Sequence, residues 1–176
     1  MRKWNKRFNG KVDFAADDSE RVRGAYCIVC KLGSNANIEV GSLGRARFSR
    51  GVYVYIGSAL QGIEQRVRRH RSGWKKLRWH IDYFLQKAEV MAVMSVPSRD
   101  KETECRLAEA MLGIAGASMP MKGFGSSDCG CQSHLVYLGD EDLEQVMETI
   151  VYRMSLLGCM YPESTTPAKR RRTKWQ

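Results

Sequence analysis

Apolar residues recur along this chain in two rhythms, a period of two early and a period near 3.6 later. Short runs with β-branched and aromatic residues cover 24–32, 37–41, 45–49 and 52–58, broken by Gly, Ser and Asn. Runs of that length and punctuation predict strands, and the pair flanking Gly41-Ser42-Leu43-Gly44 predicts a hairpin. Helical spacing begins at Gln61 and stops at Gly73; a short helix over 79–87 and a strand over 89–96 follow. Ser98 or Asp100 can cap a helix reaching about residue 117. A loop rich in Gly and Ser over 119–133 leads to a strand over 134–138. Asp140 is placed to cap a last helix, in which Leu143, Val146, Met147, Ile150, Val151 and Met154 keep helical spacing. The expectation is a small α/β (α+β) domain over 23–160, with a mostly antiparallel sheet and helices packed on it. A polar arm over 1–22 precedes it and a tail over 161–176 follows.

Three places break the pattern. On the helix near residue 65, Ile63 and Val67 define the inward stripe, and the positions completing it are Arg66 and His70. Glu64, Gln65, Arg68, Arg69 and Arg71 serve the solvent face. Glu104 has Leu107, Ala108 and Met111 on its own stripe, and a carboxylate on an apolar face needs a cation. An Arg66–Glu104 salt bridge would answer both; a shared polar cavity with a metal ion is the other reading. In the strand over 52–58, Val52, Val54 and Ile56 take one face while Tyr53, Tyr55 and Gly57 take the other.

Charge adds a direction. The 176 residues carry a net charge of +10, and the segments 1–12 and 168–176, which hold no acid, account for all of it. The neutral body still gathers Arg66, Arg68, Arg69, Arg71, Lys75, Lys76 and Arg78 against Glu64, a local excess suited to phosphate contact. No apolar run is long enough for a bilayer span, and the basic first heptad leads into no apolar segment. The expectation is an intracellular protein, cytoplasmic or nuclear, acting away from membranes.

Six cysteines raise the question of metal. Cys27 and Cys30 lie three apart on a strand and face opposite sides, so they cannot share an ion. Cys129, Cys131 and His134 form a candidate zinc site that lacks a fourth ligand, with His80 or Cys105 available to supply it.

Gly24-Ala25-Tyr26, Tyr55-Ile56-Gly57, Arg66 and His70 on one helix and Glu104 on a later one together resemble the GIY-YIG nuclease superfamily. The match extends through Trp79-His80-Ile81-Asp82-Tyr83, Glu104-Cys105 and 124–135, and is similar to the Uri-type endonucleases over about 23–138. The resemblance implies a three-stranded antiparallel sheet flanked by helices, here with an inserted hairpin. It also implies divalent-metal-dependent cleavage of phosphodiester bonds, with DNA as the expected partner and RNA as the alternative. By that likeness Glu104 holds Mg²⁺ or Mn²⁺ and Tyr26, with Tyr55 beside it, activates the attacking water. Arg66 binds the phosphate, and His70 orients groups or relays a proton. Arg68, Arg69, Arg71, Lys75, Lys76 and Arg78 are then the expected nucleic-acid contacts. The phenol would need its pKa lowered by Arg66 and the ion. Two other readings stand beside this one: a non-catalytic nucleic-acid binder, and an interaction module stabilised by zinc.

Overall fold

A computed structural model describes residues 22–73 and 75–158. The basic tail, most of the N-terminal arm and Cys159 lie outside the described residues.

Two nine-residue strands, β1 (Gly24–Leu32) and β4 (Gly51–Ala59), form the centre, each buried at all but one position. They run antiparallel in a register that sets Tyr26 opposite Gly57 and Ile28 opposite Tyr55. β5 (Glu89–Pro97) pairs with the outer side of β1, and the short β6 (Leu135–Tyr137) with the outer side of β4, both antiparallel. The order β5-β1-β4-β6 makes four strands where the family likeness implied three. The fourth spans only three residues, held by pairing with β4 and by a bridge from Ser118 to Tyr137.

Burial on both faces explains why the central strands are apolar at nearly every position. One face presents Cys27, Val29, Val52, Val54 and Ile56 to α3 (Thr103–Leu112) and α4 (Leu143–Leu156), through Leu107, Met111, Val146, Ile150 and Met154. The other face presents Tyr26, Ile28, Cys30, Tyr53 and Tyr55 to α1 (Ile63–Arg71) and α2 (His80–Phe84), through Ile63, Val67, Ile81 and Phe84. The expected hairpin is a two-stranded sheet of β2 (Ala36–Glu39) and β3 (Arg45–Phe48), turning through a 3₁₀ segment at Gly41–Leu43. It packs Ile38 and Phe48 on the second face. Cys27 and Cys30 fall in different core layers, as their spacing requires.

Several helix boundaries move: α1 starts at Ile63 rather than Gln61, α2 ends at Phe84 rather than 87, and α3 ends at Leu112 rather than near 117, where Gly113 follows. α3 begins at Thr103, because Ser98 and Asp100 are used in preceding turns: the Asp100 amide donates to Ser98 Oγ and the Glu102 amide to Asp100 Oδ1. Asp142 rather than Asp140 caps α4, accepting from the Glu144 amide, while Asp140 pairs with Arg50 at 2.9 Å. No described helix is long and apolar enough to cross a membrane.

Candidate active site and metal centre

The residues singled out on four separate elements line one cavity of about 300 Å³: Tyr26, Tyr55, Arg66, His70 and Glu104. Ser58, Arg78, Trp79 and His80 join them, as do Gly125, Ser127 and Asp128 from the loop before β6.

The phenols arrive by strand alternation on the face opposite α3. Tyr26 leans over Gly57, where a Cβ would stand 2.5 Å from the Tyr26 hydroxyl, so this crossing excludes any larger residue. Tyr55 lies beside it, ring centroids 6.5 Å apart. α1 then brings in His70, whose Nε2 is 2.9 Å from the Tyr26 hydroxyl. Burial outweighs every charged neighbour there and pushes the His70 pKa down to about 4. A neutral His70 with Nδ1 facing Asp82 Oδ1, at 3.6 Å, accepts the Tyr26 proton on Nε2; the tautomer is assigned from these neighbours.

Asp82 is the residue the sequence offered without a role. It is fully buried beneath His70, and both its oxygens accept from Arg69, each at 2.9 Å. The amides of Arg78 and Trp79 donate to it at 2.9 and 3.0 Å, and Lys75 Nζ lies 3.6 Å away. Burial acts to raise its pKa, but the Arg69 hydrogen bonds and the two amides prevail and bring it down to about 2. An Asp at the third position of a helix can reach back to the preceding amides, a signal the 79–83 segment carried.

This arrangement redistributes the basic face. Arg69 turns inward to Asp82 rather than to solvent, and Lys75 is tied to Asp82 and to the carbonyls of Arg69 and His70. Arg68 pairs with Glu64 on the surface. Arg71, Lys76 and Arg78 stay exposed. Arg66 stacks its guanidinium 4.1 Å from the Trp79 ring centre and makes no ion pair among the described residues. The Arg66–Glu104 salt bridge, the alternative to a shared polar cavity, is therefore not formed, and the Arg66 N–H groups remain available to an anion in the cavity.

Burial sets the tyrosine hydroxyls. Burial is the largest influence on the Tyr26 hydroxyl and raises its pKa, with Arg66 opposing it. Tyr55 is raised as well, by burial first. The neutral imidazole of His70 beside the phenol accepts its hydrogen bond, and burial weakens that imidazole as a base too.

Behind Glu104 lies a second cluster. Cys105 of α3 and Cys129, Cys131 and His134 of the loop bring their ligand atoms within 4.8 Å of one another. Cys105 is thus the fourth member; His80 instead accepts the Gly125 amide on Nδ1 at 3.0 Å. His134 Nε2 lies 3.5 Å from Cys129 Sγ, close to the S···N spacing of about 3.5 Å expected in a tetrahedral zinc site. Burial is the main cause raising the Cys131 thiol, and the neighbouring Cys105 and Cys129 add to it. The Cys105 thiol is raised as well, and three thiols gathered with an imidazole are the donor set of a soft metal ion. This cluster can hold a metal ion.

The loop that supplies three of these ligands is anchored at several points. The Gly123 amide donates to Gln132 O and the His134 amide to Phe124 O, both at 2.7 Å, while His134 O accepts from Ile56 of β4. Phe124 is fully buried against Tyr55, His80 and Phe84. Gly125 takes a positive φ of 73°, and a Cβ there would stand 2.9 Å from the Tyr55 ring.

In comparisons with known proteins, a family model described as domain of unknown function DUF123 matches residues 25–156. Neither a curated protein nor a solved structure matches the chain.

Proposed function

From a chain that belongs to the DUF123 family, whose matched span holds every residue of the cavity, we propose a divalent-metal-dependent endonuclease of the GIY-YIG type. It resembles the Uri-type enzymes and cleaves phosphodiester bonds, with DNA as its substrate. One observation carries the reading: Tyr26, Tyr55, Arg66, His70 and Glu104, brought from strands and helices in different layers, line a single cavity. Binding alone would need only the arginines.

Glu104 and Asp128 are the two carboxylates lining the cavity that are not buried beneath other side chains, and hard oxygen donors of this kind suit Mg²⁺ or Mn²⁺. Such an ion, when bound, neutralises charge on the phosphate and on the leaving oxygen. The protein's own groups do the rest. Arg66, held flat on Trp79, presents fixed donors to the phosphate as negative charge builds in the transition state. The Tyr26 hydroxyl accepts a proton from the attacking water while passing its own to His70 Nε2. The resulting imidazolium faces Asp82, whose negative charge is retained by Arg69 and two amides. Tyr55 fills the wall beside Tyr26 and excludes water from that side.

The thiol-rich cluster is read as a zinc site. All four positions are filled by protein ligands, the pattern of an ion that holds structure together rather than one that reacts.

The test is a cleavage screen of linear, flap, junction and RNA substrates against Mg²⁺, Mn²⁺ and Ca²⁺. The reading expects strand cleavage of at least one DNA substrate with Mg²⁺ or Mn²⁺. Binding without cleavage across the screen would move the protein to the class of non-catalytic binders.

A further inference from the structure

His134 faces two sites at once. Its Nε2 points to Cys129 in the thiol cluster, and its Nδ1 lies 3.0 Å from Glu104 Oε1 at the cavity wall. The ring is almost completely buried, and Nδ1 has no aligned hydrogen-bond partner among the described residues. Glu104 and Cys105 are consecutive on α3, one lining the cavity and the other joining the cluster. The loop that carries Cys129, Cys131 and His134 also supplies Gly125, Ser127 and Asp128 to the cavity wall.

We propose that the ion in the Cys105–Cys129–Cys131–His134 cluster sets the position of the cavity carboxylate, with His134 as the connecting residue. This rests on the reading of Glu104 as the carboxylate that holds the hydrolytic cation. The chemistry is direct. An imidazole that ligates through Nε2 keeps its proton on Nδ1, and Glu104 Oε1, 3.0 Å away, is the acceptor within reach once the ring settles on the ion. The carboxylate then has one oxygen held from behind and the other left to face the cavity. The same ion ties α3 to the loop, so the two carboxylate-bearing segments, at Glu104 and at Asp128, keep a fixed separation. His134 is a positioning residue in this scheme, since it acts on the cavity only through Glu104.

The test separates the ion, the link and the carboxylate. Purified wild-type protein is assayed for zinc. Mn²⁺ is then titrated into the zinc-loaded protein with its free concentration read by electron paramagnetic resonance. His134→Cys preserves four zinc ligands but removes Nδ1, and Glu104→Gln removes the anionic ligand itself. The expected result is one zinc in wild type and in H134C, with Mn²⁺ affinity in H134C lowered about tenfold or more, the size of effect typical of lost outer-shell partners. H134C with its zinc retained and wild-type Mn²⁺ affinity, beside a weakened E104Q, would overturn the link while leaving Glu104 as the ligand. Mn²⁺ affinity unchanged in E104Q would overturn the carboxylate assignment and the link with it. Wild-type protein purified with full thiol content but no zinc, and taking up none on addition, would overturn the ion.

Discussion

The Tyr26 hydroxyl and His70 Nε2 stand 2.9 Å apart in the buried wall of the cavity, and His70 is the only imidazole so placed among the described residues. Burial, more than any charge, holds His70 neutral there, with its pKa down at about 4. Asp82 favours the protonated ring, while Lys75, Arg66 and Arg69 oppose it. The unfolded chain therefore binds a proton on this residue below about pH 6.5, where the fold does not. Stability from this group is complete above that pH and falls as pH drops toward 4, on the order of 3 kcal/mol in all. Asp82, with its pKa near 2, loses its contribution only at still lower pH. Thermal melts from pH 7.5 to 4.5 should show the decline, and His70→Gln should flatten it; a wild-type melting temperature constant over that range would contradict the burial argument.

Gly57→Ala tests the crossing beneath Tyr26. The added methyl would meet the phenol oxygen at 2.5 Å, so the ring must swing away from His70. Overpacking of this kind costs about 1–3 kcal/mol. Cleavage should fall to the level of Tyr26→Phe, as measured by single-turnover rates, while DNA affinity by fluorescence anisotropy is unchanged. Wild-type rates in Gly57→Ala would show that the phenol position does not matter.

Asp82→Asn tests the buried charge. Arg69, with its side chain about one-quarter exposed, and Lys75 would lose their counter-ion, and breaking one side of a buried pair typically costs 3–5 kcal/mol. Urea titrations should show a loss in the range of about 3 kcal/mol, partly recovered in Asp82→Asn with Arg69→Met. A loss under about 1 kcal/mol would mean the network contributes little.

Removal of the cluster ion has a chemical readout. Cys105, Cys129 and Cys131 should be protected from a thiol reagent in the purified protein and become reactive together once a strong chelator is added. Unchanged reactivity before and after chelation would contradict the zinc reading.

What could be read from the sequence was what alternation and local spacing govern. The two-faced strand over 52–58 and the placing of Arg66 and His70 on an inward stripe follow from periodicity, and the structure has both. The reach of Asp82 back to the Arg78 and Trp79 amides is local, but its pairing with Arg69 and Lys75 was not legible, because these meet it only through the loop between α1 and α2. Arg69 was misplaced for the same reason: helical spacing sets it outward, and a buried anion thirteen residues on draws it in. Cys105 could not be chosen over His80 as fourth ligand until α3 and the loop were seen side by side. The lowering influence of Arg66 on the Tyr26 hydroxyl was legible because charges are visible in a sequence; the larger opposing influence of burial was not, because depth is not visible there.

The central claim is hydrolysis at a cation held by Glu104. The most direct measurement compares single-turnover cleavage of a DNA substrate by wild type and Glu104→Gln in Mg²⁺, with the affinity of each protein for the same DNA. The account predicts metal-dependent cleavage by wild type, a loss of at least about a hundredfold in Glu104→Gln, and DNA affinity equal within a few-fold. Undiminished cleavage by Glu104→Gln would contradict it.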